Sequence, residues 1–238
     1  MVRVPLAALS SGSRELEAKT LHYLRDVLRL APGDAFVAFD ANAGVEADAI
    51  LNAASSCSLG EPREALRVQS SGVSLVQALG KGDKTEQVVR SATALGVDEL
   101  YLVESARSIA RAGDRAESKH ARLESIALDA ARQSTRGDVP RIFGPYALSR
   151  ALAELKARAG IKLCLVPNAS ASLAALVRAW TPGEPLALIV GPEGGLAEEE
   201  VAQAEDAGFV AARFGELVLR TEIAGIAALG ALLLLREP

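Results

Sequence analysis

The sequence predicts two modules: a small β-rich domain over residues 1–70 and an α/β domain with a mostly parallel sheet over residues 73–238. Three observations carry this. From about residue 73, short apolar runs alternate with stretches of helical periodicity, the pattern of strands joined by crossover helices. Before residue 70, extended runs are short and separated by Pro, Gly, Ser and Asn, as in a small barrel. In the last third, two glycine-containing turns each lead into a helix.

The elements come in this order. KTLHYLRDVLRL reads as one short helix, because Leu21, Leu24, Val27 and Leu28 keep helical spacing and APGD ends it. AFVAFD (Ala35–Asp40) and ALRVQ (Ala65–Gln69) read as strands. A composition shift near Ser70–Gly72 marks the module boundary. VSLVQAL is then a strand, TEQVVRSATALG a helix closed by Gly96, and ELYLVES a strand. A longer helix over roughly Ser118–Ser134 comes next, then apolar strands at Ile161–Val166 and Leu186–Val190. Glu198–Ala207 is a helix closed by Gly208, Leu217–Leu219 is extended, and a helix begins near Thr221. The run Ile223–Leu235 is too short to span a bilayer and reads as a buried helix.

Composition narrows the function. The chain has 238 residues and a net charge of −4, so the molecule as a whole does not attract nucleic acid; any such site is a local patch. Two cysteines, Cys57 and Cys164, form neither a disulfide framework nor a metal-ligand spacing and read as reduced, buried thiols. His22 and His120 are far apart, and neither a Ser-His-Asp arrangement nor a metal triad is visible. MVRVPLAALSSGS lacks the apolar region of a secretion signal, which points to the cytoplasm.

LGKGDKTE (Leu79–Glu86) has the residue types of a phosphate loop but the wrong spacing. Asp83 separates Gly82 from Lys84 and puts a carboxylate where phosphate oxygens would lie. It reads as a tight strand-to-helix turn, with Lys81 or Lys84 free to touch RNA phosphate. Arg107, Arg111, Arg115, Lys119 and Arg122 recur every three or four residues, but Gly113-Asp114 interrupts them, so the pattern is a basic loop running into a helix. A solvated face and an RNA contact are both open there.

LIVGPEGGLAEEEV (Leu188–Val201) is the most informative stretch. It joins a strand to a helix through Gly191, Glu193, Gly194 and Gly195, without the G-x-G-x-x-G spacing of a dinucleotide loop. Glu193 and Glu198–Glu200 suit the helix dipole and disfavour a polyphosphate at the helix N-terminus. A neutral or cationic cofactor such as S-adenosylmethionine fits better. In RFGELVLRTEIAGIAAL (Arg213–Leu229), Arg220, Thr221 and Glu222 sit together where an extended segment meets a helix. Their plain structural reading is a cap at Thr221 with Glu222 in the first turn.

GPEGG after a strand, with LVLRTE before an apolar C-terminal helix, resembles the SPOUT class of knotted methyltransferases. More closely it is similar to the RsmE family, which methylates nitrogen 3 of a uridine in 16S ribosomal RNA. HYLRDVLRLAPGD, GKGDKTEQVVRSATALGVDEL and AARQSTRGDVPRI (Ala130–Ile142) resemble further segments of that family in the same order. Two segments differ: Ile223 stands where the family usually has Thr, and Glu216–Leu219 lacks the Arg and Ile that the family tends to have there.

The resemblance implies a PUA-like N-terminal RNA-binding barrel, a trefoil-knotted methyltransferase domain, a homodimer, and S-adenosylmethionine as cofactor. By position it implies a cofactor site made of Val166, Pro167 and Asn168; Gly191, Glu193, Gly194 and Gly195; and Gly215, Leu217, Leu219 and Thr221. Its substrate would be 16S rRNA, within the assembled small subunit. Deprotonating a uracil imide calls for a cation at the flanking carbonyl oxygens and a proton acceptor. Arg220 is the candidate for the first role and Glu222 for the second. Lys81, Arg107, Arg111 and Arg136 are the candidate RNA contacts. A catalytically silent knotted RNA-binding protein and a knotted methyltransferase of another RNA stand as alternatives.

Overall fold

The computed structural model describes residues 1–65, 72–108, 116–178, 181 and 184–234. The described chain falls into two compact units. The first is Met1–Gln69 with Ala131–Val139, and the second is Ser70–Ala130 with Pro140–Pro238. The predicted strand at Ala65–Gln69 and the boundary at Ser70–Gly72 lie largely outside the described residues, as do Arg111, Arg115 and Gly113-Asp114.

The first unit contains β1 (Arg3–Pro5), β2 (Gly12–Glu15), α1 (Ala18–His22), β3 (Ala35–Asp40), β4 (Val45–Leu51), β5 (Ser56–Leu59) and β6 (Arg63–Glu64). They form one sheet of order β1-β3-β4-β5-β2, with β6 paired to β4. The period of two is clear on β4, where Ala47, Ala49 and Leu51 are buried while Asp48 and Ile50 are exposed. Those residues join Val4, Leu24, Phe36, Ala38 and Cys57 in one core.

The predicted helix changes character midway. After α1 it becomes a π-helical turn over Tyr23–Val27, closed by Leu28 N–H donating to Tyr23 O at 2.9 Å. The extra residue in that turn rotates the next residues out of helical register. Leu24 is therefore fully buried while Val27, expected on the same face, is 57% exposed.

In the second unit, a seven-stranded sheet of order β11-β13-β10-β12-β7-β8-β9 carries every pairing in parallel. Its strands are β7 (Val73–Ala78), β8 (Glu99–Glu104), β9 (Arg141–Ala147), β10 (Ile161–Leu165), β11 (Ala171–Ser172), β12 (Leu186–Val190) and β13 (Val210–Arg213). Its helices are α2 (Lys84–Ala94), α3 (Ala116–Gln133), α4 (Leu148–Lys156), α5 (Leu173–Arg178), α6 (Glu198–Asp206) and α7 (Thr221–Leu234).

Both faces of the sheet are covered, so β7 and β12 are buried along their whole length, as central parallel strands must be. Val88 and Val89 of α2, Leu123 of α3 and Leu229 of α7 share one core. Leu152 and Leu155 of α4 and Ala204 of α6 share the other. Helix α7 lies close on the sheet because Gly225 has no side chain: a Cβ there would stand 3.1 Å from Val190 Cγ2 and 3.3 Å from Leu75 Cδ1. Among the described residues no helix is long and apolar enough to cross a membrane.

The expected extended run Leu217–Leu219 is not a strand. Leu217 and Val218 are 80% and 75% exposed in the loop between β13 and α7.

Candidate functional site

At the carboxyl ends of β7, β10 and β12 the loops leave a cavity of about 380 Å³. Ligands of open parallel sheets bind at this edge. Three segments build the cavity. Val166 and Pro167 follow β10; Gly191, Glu193 and Gly195 follow β12; Gly215, Leu217, Leu219, Arg220 and Thr221 lead into α7. Asn168 and Gly194 belong to the same turns but do not line the cavity, and neither does Glu222.

The second segment is a closed turn, with Gly195 N–H donating to Pro192 O at 2.9 Å. Two of its glycines resist a side chain, one for lack of space and one for its backbone angle. A Cβ on Gly191 would lie 3.0 Å from Leu196, and Gly195 has a φ of +69°, a region glycine enters freely. The Arg107 guanidinium braces the outside of the turn by donating to Gly194 O at 3.2 Å.

Thr221 fastens the third segment to the second. Its hydroxyl donates to Gly191 O at 2.5 Å and accepts from Gln77 Nε2 of β7 at 3.0 Å. The expected cap role is therefore filled differently. Thr221 is the first helical residue, and the carbonyl of Arg220 accepts from the N–H groups of Ile223 and Ala224 at 2.9 Å. Replacing Thr221 by Val keeps the shape but leaves Gly191 O and Gln77 without this partner. Unfolding in urea should show a loss of about 1–3 kcal/mol, the cost of orphaning buried polar groups, and Thr221→Ser should restore most of it.

The glutamates do not make an acidic pocket, contrary to expectation. Glu193 is paired with Lys84 Nζ at 2.8 Å and also accepts from Lys81 N–H at 3.3 Å. The Lys84 hydrogen bond, opposed by partial burial, holds the Glu193 carboxyl below its ordinary value. Glu200 turns away, accepting from Ala106 N–H at 2.8 Å and reaching back to Ala197 N–H at 2.9 Å, which stabilises the start of α6. Glu198 and Glu199 are exposed. The charged side chains lining the cavity are thus Lys84, Glu193 and Arg220, a net of one positive charge. A carrier of positive charge is not drawn in by acidity; backbone groups and shape must hold it.

Lys84 is the residue sequence reasoning missed as part of the site. It leaves α2 beside β7, and β7 neighbours β12, so its Nζ lies 2.8 Å from Glu193 and 3.4 Å from Glu222 Oε2. Gly80 makes room for it, since a Cβ there would stand 2.8 Å from Lys84 Cβ. Glu222 is largely buried, with its Oε2 lacking any hydrogen bond among the described residues. Arg220 is exposed at the cavity wall, and its guanidinium makes no hydrogen bond or ion pair among the described residues.

The predicted RNA contacts are dispersed. Lys81 is exposed near the cavity rim, and Arg107 braces the glycine turn. Arg136 is buried, with its guanidinium bonded to Asp138 at 2.8 Å. Arg111 lies outside the described residues.

Comparison with known proteins agrees with this architecture. Residues 68–233 match the family model of the RNA methyltransferase domain, and residues 16–57 that of the RNA methyltransferase PUA domain. The ribosomal RNA small subunit methyltransferase E of Bacillus subtilis is 30% identical over 229 residues, covering 91% of this chain and 88% of the relative. The crystal structure of a ribosomal RNA small subunit methyltransferase E from Neisseria gonorrhoeae bound to S-adenosyl methionine superposes with a TM-score of 0.88. It is 29% identical, over 99% of this chain and 98% of that one. A Legionella pneumophila protein solved with bound SAM gives a TM-score of 0.85 at 26% identity, over 97% and 96% of the two chains.

Proposed function

We propose, from the premise that this chain belongs to the ribosomal RNA small subunit methyltransferase E family, that it methylates nitrogen 3 of a uridine in 16S ribosomal RNA, using S-adenosylmethionine. The observation that carries the reading is the convergence of three loops on one cavity, with Arg220 and Lys84 on its wall and Glu222 beside it. When bound, the cofactor supplies an electrophilic methyl group. Val166, Pro167, Gly191, Gly195, Gly215, Leu217, Leu219 and Thr221 would hold it, and the narrow glycine turn and apolar wall suit an adenosyl group gripped by backbone.

The remaining chemistry belongs to side chains. Uracil loses its imide proton, so the base must be unpaired. Arg220 offsets the negative charge that builds on the neighbouring carbonyl oxygens. Glu222 accepts or relays the proton, and Lys84 steadies its carboxylate. Lys81 contacts the RNA backbone, while Arg107 and Arg136 act through the turns they brace.

The same reading assigns residues 1–70 to RNA binding as a curled PUA-like barrel and 73–238 to methyl transfer. It also takes the C-terminal segment to be threaded into a trefoil knot. Supporting that, β13 lies two strands from β12, yet α7 packs against α2 and β12, so the chain crosses the edge of β10 on the way. Exposed Leu217, Val218 and Ile223 support a homodimer. A cytoplasmic location follows from the substrate.

The test is methyl transfer from labelled S-adenosylmethionine to small ribosomal subunits from a strain lacking the gene, with the product nucleoside identified by mass spectrometry. We expect 3-methyluridine. Another methylated nucleoside would move the target atom. Cofactor binding without transfer would move the RNA, and neither binding nor transfer would leave a silent RNA-binding scaffold.

A further inference from the structure

The first unit holds a cavity of about 280 Å³ whose lining includes Arg3, Tyr23, Leu28, Arg132, Gln133 and Thr135, and no carboxylate among the described residues. On a chain of net charge −4, a cavity walled by two arginines and an aromatic ring is a local exception.

Three features set this cavity apart. Arg3 is buried over the Phe39 ring at 4.8 Å and donates one nitrogen to Glu46 at 2.8 Å, but its Nε and Nη2 are buried with no partner among the described residues. Buried donors are rarely left so. Arg132 lays its guanidinium over the Tyr23 ring at 4.8 Å, making a flat, cationic platform. Thr135 takes a φ of +59°, which a β-branched residue rarely adopts. The adjoining Arg136, buried against Asp138, pins the turn that holds Thr135 there. The segment Gln133–Arg136, whose arginine reads from sequence as an RNA contact, instead shapes this wall.

We propose that the cavity binds one unpaired nucleotide of RNA, its phosphate taken by Arg132 and Arg3 and its base laid against Tyr23. A base needs a flat face to stack on, and a phosphodiester needs forked cations; both are present within one cavity. This site rests on the reading that the substrate is RNA, and it lies apart in sequence from the residues of the methyl-transfer cavity.

The experiment measures binding of a fluorescein-labelled 12-nucleotide oligouridylate to the full chain by anisotropy across a salt series, beside S-adenosylmethionine affinity by calorimetry. Arg132→Ala should weaken the oligomer about tenfold and flatten the log–log salt slope by about 0.7, the share of one phosphate contact on a single strand. Tyr23→Ala should weaken it about tenfold with the slope unchanged. Arg132→Lys should keep the slope. All three should bind S-adenosylmethionine as the wild type does. Oligomer affinities within about twofold of wild type for both alanine variants would overturn the site.

A second arm needs no variant. Oligomers carrying 4-thiouridine, crosslinked to the wild type, should map to peptides holding Tyr23 or Arg132, and crosslinks confined to other peptides overturn the proposal. Crosslinks here without methyl transfer to subunits would keep this site and reject the methylation reading. Transfer with unperturbed variants would do the reverse.

Discussion

Replacing Arg220 by alanine should lower methyl transfer by about a hundred- to a thousandfold, the usual cost of removing one preorganised group that meets developing charge. S-adenosylmethionine affinity should change by less than about threefold, because the loss falls on a group that matters in the transition state. The structure explains why the two effects separate. The Arg220 side chain is exposed and unpaired among the described residues, so its removal orphans no buried partner. Its contribution to the helix start is made by its backbone carbonyl, which alanine retains. Arg220→Lys should recover part of the rate, since a point charge replaces the planar fork. Single-turnover rates beside calorimetric affinities decide the matter; an alanine variant turning over at near-normal rate rejects the role.

How far the sequence leads to this site depends on range. AFVAFD coincides with β3, and Leu186–Val190 with β12, because burial on one or both faces writes itself into local apolar pattern. The turn at Gly191–Gly195 and the junction at Thr221 were legible for the same reason: a strand, a glycine turn and a helix start are neighbours along the chain. Lys84 was not legible as a cavity residue. Its place depends on β7 lying beside β12, a pairing between segments more than 100 residues apart that no periodicity encodes. Glu193 misled for the same reason, since its neutralising partner, Lys84, stands at the start of the distant helix α2. The π-helical turn at Tyr23–Val27 is a one-residue slip, and an apolar pattern tolerates such a slip without betraying it. Leu217–Leu219 looked like a strand because exposed apolar residues carry the same letters as buried ones.

Stability, by contrast, should depend on a group far from the chemistry. Glu99 opens β8 at the amino end of the sheet, buried to 2% exposure. It accepts from Ser74 Oγ at 2.9 Å and Tyr101 OH at 3.1 Å, and is paired with Arg158 and Arg141. Burial alone would raise its pKa, but the hydrogen bonds from Arg158 and Ser74 and the charges of Arg158 and Arg141 outweigh it, leaving it below the ordinary carboxylate value. The folded chain thus binds this proton more weakly than the unfolded chain. Its stabilisation is complete above the unfolded carboxyl pKa, about 4.3, and is lost as pH falls from there through the depressed folded value.

Glu99→Gln should cost about 3 kcal/mol at pH 7, the low end for breaking a buried pair, since both arginines stay partly in water. The gap between variant and wild type should narrow steadily below about pH 4. Urea midpoints at pH 7 and at the acid end test both statements, and a gap independent of pH would mean that Glu99 acts by shape alone. Cofactor affinity measured well below the unfolding midpoint should not move. The candidate cavity opens at the carboxyl ends of the strands, and Glu99 anchors the opposite edge.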